Sequence, residues 1–210
     1  HISTQANNTN YETYRFWHQL GAKRVVSARE LSMEELRQIR EHIPDELEIE
    51  TFVHGALCMS VSGQCGLSAV IGSRSANRGR CAQACRLPFS AKGAKNVCTL
   101  SLKDLCLVPY LAELAQDGVA SLKIEGRCKR PEYVAAAVTA LVQARAGEEP
   151  DLDTLRAVFS RSGFTDGYYT GKRQQMFGTR QKEDVLQAKE VLPHLAQLYQ
   201  KPTPQIALTM

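Results

Sequence analysis

Strand-favouring residues form four short stretches of the chain, at residues 1–5, 24–27, 48–53 and 121–124. In the third stretch, apolar and polar side chains alternate, which is typical of a β-strand with one face in a core. Between these stretches, apolar residues recur every three or four positions, as they do in amphipathic helices. Strands that alternate with helices over short connections predict a parallel sheet with right-handed crossovers.

Two helices are predicted between the first three strands. In the first, Tyr14, Trp17 and Leu20 fall at helical spacing, and Gly21 is predicted to end the helix. The second begins with Ser32 and Glu35, which have the spacing of a capping box. In that motif each side chain accepts a hydrogen bond from the other residue's backbone N–H, so a helix start is predicted at this point.

Further helices are predicted in the second half of the chain. Ser101 and Asp104 have capping-box spacing and predict a helix that continues through the apolar residues after them. Pro131 suits the first position of a helix, and we expect Val134, Val138 and Leu141 to face inward from it. Two more helices are predicted at residues 151–160 and 183–199.

The predicted fold class is α/β. Four strands cannot close the common β/α barrel, which needs eight, so the pattern indicates either half of such a barrel or an open α/β sheet. We expect a partial barrel over residues 1–160, interrupted by a cysteine-rich insertion at 54–100. Residues 161–210 are predicted to form a turn-rich segment and a helix that starts a further domain.

Positive charge is concentrated in the insertion. The chain of 210 residues has a net charge of +4, yet residues 51–103 contain seven Lys or Arg and no carboxylate. Such a segment predicts a polyanionic partner or a negatively charged cofactor, and a solvated basic loop is the simpler alternative. No apolar run approaches the roughly 18 residues that span a bilayer, so we expect no membrane segment.

Five of the seven cysteines also lie in the insertion, and four of them have the spacing C-x6-C-x15-C-x3-C. Four thiolates on irregular, glycine-rich backbone can surround a metal centre. This spacing favours an iron–sulfur cluster over a zinc knuckle, in which cysteines are usually separated by two to four residues. Disulfides are the remaining alternative, but the odd count and an expected cytoplasmic location argue against them. The four residues are Cys58, Cys65, Cys81 and Cys85.

Four sequence motifs together resemble peptidase family U32, the collagenase-like family. In chain order they are FVHGALCMSVSGQCGLSAVIGSRSANRGRCAQACRLPF, LSLKDLCLVPYLAEL, SLKIEGRCKRPEYV and GFTDGYYTGKR. The resemblance covers nearly all of residues 1–180 and implies the C-terminal half of a β/α barrel. It is closest to the branch that hydroxylates a cytidine of large-subunit ribosomal RNA, and a sister branch hydroxylates a uridine of transfer RNA.

The resemblance also implies a cofactor and a co-substrate. Several members are similar to RNA- or quinone-hydroxylating enzymes that carry a four-iron four-sulfur cluster, and others were named proteases. The cluster ligands correspond to the same four cysteines, with the fourth ligand the most variable. Prephenate is the implied oxygen source. Where members often have Met, this chain has Cys128, so the resemblance implies that Cys128 is not a ligand.

Candidate catalytic residues follow two of the predicted strands. Lys123, Glu125 and Arg127 alternate at the end of the fourth strand, where the active sites of β/α barrels assemble. They are predicted to orient substrate or transfer protons, or else to form a structural ion-pair cluster. His54, close to Cys58, is predicted to act as a base or as a donor to sulfur, and a structural histidine is the alternative.

RNA is the predicted partner, and the basic residues of the insertion are the predicted phosphate contacts. Two other functions compete with RNA hydroxylation: a collagenase-like protease, and a zinc-stapled module that binds RNA without catalysis. A protease requires a nucleophile or hydrolytic metal that the sequence does not reveal. The predicted RNA-binding residues are Arg74, Arg78, Arg80, Arg86, Lys92 and Lys95.

Overall fold

The computed structural model describes residues 1–91, 93–127 and 129–199 as a mixed α/β structure. The helices are α1 (Tyr11–Gln19), α2 (Met33–His42), α3 (Leu67–Gly72), α4 (Leu111–Gln116), α5 (Pro131–Arg145), α6 (Leu152–Val158) and α7 (Lys182–Tyr199). The strands are β1 (Arg24–Val26), β2 (Glu48–Ala56), β3 (Phe89–Ala91), β4 (Ala94–Val97), β5 (Asp104–Cys106), β6 (Val119–Glu125) and β7 (Phe164–Thr165).

Strand β2 lies at the centre of the main sheet, between two parallel neighbours. β1 pairs with one edge of β2, and β6 pairs with the other. Ile2 adds a parallel bridge to Val25 of β1. The predicted parallel strands are therefore confirmed for β1, β2 and β6, which lie side by side in chain order in an open sheet.

The first predicted strand, at residues 1–5, is wrong beyond Ile2. A 3-10 helix begins at Thr4, because the Ser3 side chain accepts a hydrogen bond from the Gln5 backbone N–H and caps that turn. Asn7 then ends the turn in the left-handed conformation, with φ at 59°. Local side-chain hydrogen bonding thus competes successfully with strand pairing.

The helices between the first strands are confirmed. Asn10 caps α1 by accepting from the Thr13 N–H, and Tyr14 is completely buried in the core. Both hydrogen bonds of the capping box between Ser32 and Glu35 are present at the start of α2. These caps satisfy backbone donors that the first turn of a helix leaves without partners.

The predicted capping box of Ser101 and Asp104 is wrong. Asp104 is instead the first residue of β5, which pairs antiparallel with the end of β2. Its side chain is completely buried and accepts a hydrogen bond from Arg161 at 2.5 Å. A buried carboxylate is stable only with such a partner, and this long-range ion pair overrides the local helix signal. The helix of this region, α4, begins only at Leu111.

Helix α5 begins at Pro131 as predicted, but its inward face is different. Val134 and Val138 are 41% and 45% exposed, so their predicted burial is wrong, whereas Leu141 packs against the core as predicted. Small side chains allow close approach, and α5 packs on α6 and α7 through its alanines and Tyr133. The buried residues of this face are Tyr133, Ala136, Ala137 and Ala140. Helices α6 and α7 confirm the predictions at 151–160 and 183–199.

Two apolar clusters hold the fold together. The larger lies between the sheet and α1 and α2, and the smaller lies among α5, α6 and α7. Burial of such side chains stabilises the folded chain by about 25 cal/mol for each Å² of apolar surface removed from water. Of the helices in the described ranges, none has the length and apolar character to span a membrane.

Candidate functional site

The carboxyl ends of three parallel strands open into one cavity of about 750 Å³. Arg29 follows β1, Cys58 follows β2 and Glu125 ends β6, and all three side chains line the cavity. Gly55 permits this convergence, because a Cβ at its φ of +123° would collide with the backbone carbonyl of Glu125. The cavity thus occupies the edge of the sheet at which α/β proteins commonly bind ligands.

Three of the four predicted cysteine ligands line this cavity: Cys58, Cys81 and Cys85. Burial raises the pKa of the Cys58 thiol, and the nearby thiols of Cys85 and Cys65 raise it further. Cys65 does not line the cavity, but it lies within electrostatic reach of Cys58. The segment therefore gathers the four thiols in one region, with Cys65 at its margin.

Backbone N–H groups point at three of the four sulfur atoms. In each case the donor lies two residues after the cysteine, so the chain turns tightly around the sulfur. Hydrogen bonds of this kind stabilise negative charge on sulfur, which a metal-bound thiolate carries. The pairs are Ser60 with Cys58, Leu67 with Cys65 at 3.4 Å, and Gln83 with Cys81 at 3.3 Å.

The thiols of the cysteine segment are available as metal ligands. The cysteines among the described residues are free thiols. Within those same residues, no three Cys, His, Asp or Glu side chains are close enough together to hold a single metal ion. Structural zinc needs four ligands on one ion, whereas a four-iron cluster is held by thiolates on separate irons. Four thiols are a donor set that both an iron–sulfur cluster and a zinc ion can take.

Arg29 is a site residue that the sequence analysis missed. Its guanidinium lies 3.7 Å from the Glu125 carboxylate and stacks over the Phe52 ring, 4.0 Å from the centroid. Its positive charge opposes the rise in the pKa of the Cys58 thiol. The available signal was its place three residues after the end of β1, where a side chain reaches the carboxyl edge of the sheet.

The structure separates the candidate residues at the end of β6. Glu125 and Arg127 line the cavity, and the Arg127 guanidinium packs against the backbone of Gly79. Lys123 is not a lining residue: its Nζ donates to Glu50 at 2.6 Å in an ion pair within the sheet. Glu125 and Arg127 are therefore in position to contact a ligand, and Lys123 has a structural partner.

His54 lies in the core beneath the cavity rather than in its wall. It is 1% exposed, with its ring centroid 5.4 Å from that of Tyr133 and 5.3 Å from that of Phe164. Burial lowers the pKa of His54 to about 4, so the ring is neutral near pH 7. This position fits the structural alternative for His54 rather than a role as base.

The predicted RNA-binding residues are divided by the structure. Arg74, Arg78 and Arg80 are exposed on the loops between Cys65 and Cys85. Lys92 and Cys128 lie outside the described residues, as does the side chain of Lys95. The three exposed arginines are thus the members of the predicted set that the structure places in contact with solvent.

Arg86, also predicted to contact RNA, makes hydrogen bonds within the protein. Its guanidinium donates to the carbonyl oxygens of Leu57 and Leu102, both at 2.6 Å, and to Ser101 Oγ at 3.1 Å. Its own carbonyl oxygen accepts a hydrogen bond from the Cys98 thiol at 3.6 Å. These bonds use three of the five N–H donors of the guanidinium, so Arg86 anchors the cysteine segment to the end of β2.

Comparison with protein-family models identifies the chain. The model of peptidase family U32 matches residues 1–178. The chain belongs to peptidase family U32. The match includes the sheet, the cysteine segment and the residues that line the cavity on the strand side.

Relatives within family U32 have been named for different activities. The chain is 34% identical to tRNA hydroxylation protein P of Escherichia coli, over 80% of this chain and 50% of that protein. It is 40% identical to a collagenase of Porphyromonas gingivalis, over 82% of this chain and 48% of that protein. It is 42% identical to the 23S rRNA 5-hydroxycytidine C2501 synthase of Escherichia coli, over 64% of this chain and 21% of that protein.

The chain thus spans about half the length, or less, of these curated relatives. No solved structure matches it.

Proposed function

We propose that this chain forms the iron–sulfur part of an enzyme that hydroxylates a pyrimidine in ribosomal or transfer RNA. The observation that carries the proposal is the meeting of cysteine thiols with Arg29, Glu125 and Arg127 in one cavity at the carboxyl edge of the sheet. Relatives named for tRNA hydroxylation and for rRNA 5-hydroxycytidine synthesis support the choice of reaction and substrate.

Cys58, Cys65, Cys81 and Cys85 would hold a four-iron four-sulfur cluster. Amide donors to three of the sulfurs, and the positive charge of Arg29, fit a centre with negative charge. When bound, the cluster supplies one-electron transfer. Cys65, at the margin of the cavity, is the ligand on which the proposal depends least.

The residues of the chain would bind and orient the substrate beside the thiols. Glu125, paired with Arg29, presents a carboxylate oxygen that can accept a hydrogen bond from a pyrimidine amino or imide group. Arg127 adds donors for the base or its ribose. A cavity of about 750 Å³ is within the range that accommodates a small organic ligand or one nucleotide.

Prephenate is the proposed oxygen-donating co-substrate, and the cytoplasm is the proposed location. We further propose that the open sheet is the C-terminal half of a β/α barrel. Neighbouring strands follow chain order and run in the same direction from Ile2 through β1 and β2 to β6, as they do in such barrels.

A protease is the second candidate function, supported by the relative named collagenase. Peptide hydrolysis needs an activated nucleophile or a hydrolytic metal. In the structure as described, His54 is buried among aromatic rings, and the rings of His18 and His42 contact Glu46 and the Gln38 carbonyl. These histidines therefore do not activate a serine or cysteine in the described structure.

The experiment that tests the cluster is metal analysis of protein purified without oxygen. We expect about four iron and four sulfide per chain and a brown solution with absorbance at about 400 nm. Colourless protein that contains stoichiometric zinc would contradict the proposal and favour the zinc-stapled RNA-binding module. The assay needs no substrate, so it separates the cofactor from the reaction.

The RNA partner is tested by the salt dependence of binding. Each phosphate contact releases counterions, so the logarithm of affinity for single-stranded RNA should fall with the logarithm of salt by about 0.7 per contact. Replacing Arg74 and Arg78 together with Ala should weaken binding and reduce this slope by about one to two. Both side chains are exposed, so the substitutions leave the core intact.

Arg145→Ala is the matched control, because it removes an exposed cation at the far end of α5. It should leave the slope unchanged. If the double variant instead lost iron while its slope stayed at the wild-type value, the two arginines would serve the cluster and not the RNA. Affinity for peptides with no affinity for RNA would favour the protease.

A further inference from the structure

Three cations surround one aromatic ring in the part of the cavity that faces α7. Lys129 Nζ lies 2.8 Å from the centroid of the Phe159 ring. The guanidinium carbons of Arg180 and Arg161 lie 4.4 Å and 4.9 Å from the same centroid. All four residues line the cavity that also contains the cysteines. None of the four was singled out by the sequence analysis, because they come from three separate segments of the chain.

The positive charge of this group is only partly balanced. Arg161 pairs with Asp104, whose carboxylate is completely buried. In the part of the chain that the structure describes, neither Lys129 nor Arg180 forms an ion pair, and the buried Arg180 Nε has no hydrogen-bond acceptor. Their contacts with the Phe159 ring are weaker than an ion pair to a desolvated anion.

The surplus charge affects Lys129 itself. Burial lowers the pKa of its ammonium group to about 7, opposed by the Asp104 carboxylate and assisted by the nearby guanidinium groups of Arg161, Arg180 and Arg86. A group of half-buried cations held close together is stabilised by any anion that enters among them. The fold already holds these donors close together, so binding of an anion requires little further ordering of the side chains.

Apolar side chains of two helices also line the cavity. Val185, Ala188 and Leu192 of α7 line it, together with Val158 at the end of α6. A ligand here would place a charged group on the cations and its carbon skeleton against the two helices. This combination of an apolar wall and a few convergent polar groups is typical of small-ligand sites.

We propose that Lys129, Arg161 and Arg180 form an oxyanion site that binds the phosphate or carboxylate group of the molecule in the cavity. This site deepens the proposed function and rests on it for the identity of that molecule. Two sources share the required chemistry: the phosphate of a nucleotide whose base reaches the thiols, and a free organic anion bound beside it. The paired donors of each guanidinium suit the two oxygens of either group.

The test is calorimetric binding of defined probes to the whole chain at constant ionic strength. The probes are inorganic phosphate, malonate, acetate, cytidine and cytidine 3′-monophosphate. We expect wild-type protein to bind phosphate or malonate more tightly than acetate. Lys129→Met with Arg180→Met should weaken this binding at least tenfold, since each charged hydrogen bond lost costs about tenfold in affinity. Met removes charge while it keeps an apolar stem, so the variant should fold.

Arg145→Met, outside the cavity, is the matched control and should bind as the wild type does. Tighter binding of cytidine 3′-monophosphate than of either cytidine or inorganic phosphate would support the site and assign its anion to a nucleotide. Tightest binding of malonate would support the site and assign it to a free carboxylate. Equal affinity of the double variant and the wild type, or no binding of any dianion, would overturn the proposal.

Iron content is measured on the same samples, so the two proposals can fail separately. If protein purified without oxygen contains no iron but still binds the anions, the oxyanion site is supported and the proposed function is contradicted. If the protein contains iron but has no affinity for the anions, the oxyanion site is contradicted and the proposed cluster is supported.

Discussion

Cys58→Ala is expected to abolish iron binding by this chain. Cys58 is the ligand that the structure supports most directly, because it follows β2, lines the cavity and lies close to both Cys65 and Cys85. A cluster that loses one of four protein thiolates is exposed at one iron and is readily degraded. Iron and sulfide per chain, measured after purification without oxygen, should fall from about four each to near zero.

Cys98→Ala provides the matched control for this substitution. Cys98 also belongs to the cysteine-rich segment and is partly buried, but its thiol donates a hydrogen bond to the Arg86 carbonyl. It is therefore engaged as a thiol and should be replaceable without loss of iron. Full iron content in a variant with both Cys58 and Cys81 replaced would disprove the assignment of the ligands.

His54→Leu is expected to remove most of the acid sensitivity of the fold between about pH 7 and pH 5. Burial lowers the pKa of His54 from 6.5 to about 4, so the unfolded chain binds a proton more readily than the folded one. The free energy of unfolding is therefore highest, as far as His54 is concerned, above pH 6.5, and it decreases as the pH falls toward 4. Linkage gives a loss of about 2 kcal/mol by pH 5 and about 3 kcal/mol in full.

The measurement is the free energy of unfolding of the wild type and the variant at both pH values. Leucine has a similar volume and no charge to desolvate. Between pH 7 and pH 5, the free energy of unfolding of the variant should therefore fall by about 2 kcal/mol less than that of the wild type. His194→Leu on the exposed side of α7 is the control and should follow the wild type. A His54→Leu variant as acid-sensitive as the wild type would show that the buried ring is not responsible.

The parallel part of the fold was predictable from sequence because its signals are local. The capping box at Ser32 and the proline at the start of α5 act within one turn of chain, and both are present in the structure. Strand β5 was not predictable in this way. Asp104 has the spacing of a helix cap, yet its carboxylate pairs with Arg161, 57 residues later. An interaction over that distance leaves no periodic signal in the sequence.

The sequence indicated those residues of the candidate site that belong to one motif. It did not indicate those that separate segments contribute singly. Cys58, Cys81 and Cys85 were recognised from spacing, and the structure brings them to one cavity. Arg29 and the cations around Phe159 were missed because their proximity arises only when separate strand and helix ends meet. Arg86 was assigned to RNA from its charge, whereas its hydrogen bonds to backbone carbonyls hold the segment in place.

The amide donors to sulfur place an unusual constraint on mutation of the chain. The groups that contact sulfur at positions 60, 67 and 83 belong to the main chain, so nineteen amino acids can supply them and only proline cannot. A scan of all substitutions should show that these three positions accept many different side chains but not proline. Position 83 has a φ of 55° and would also select against β-branched residues. The requirement for these amide donors would then be visible only as the absence of proline at the three positions.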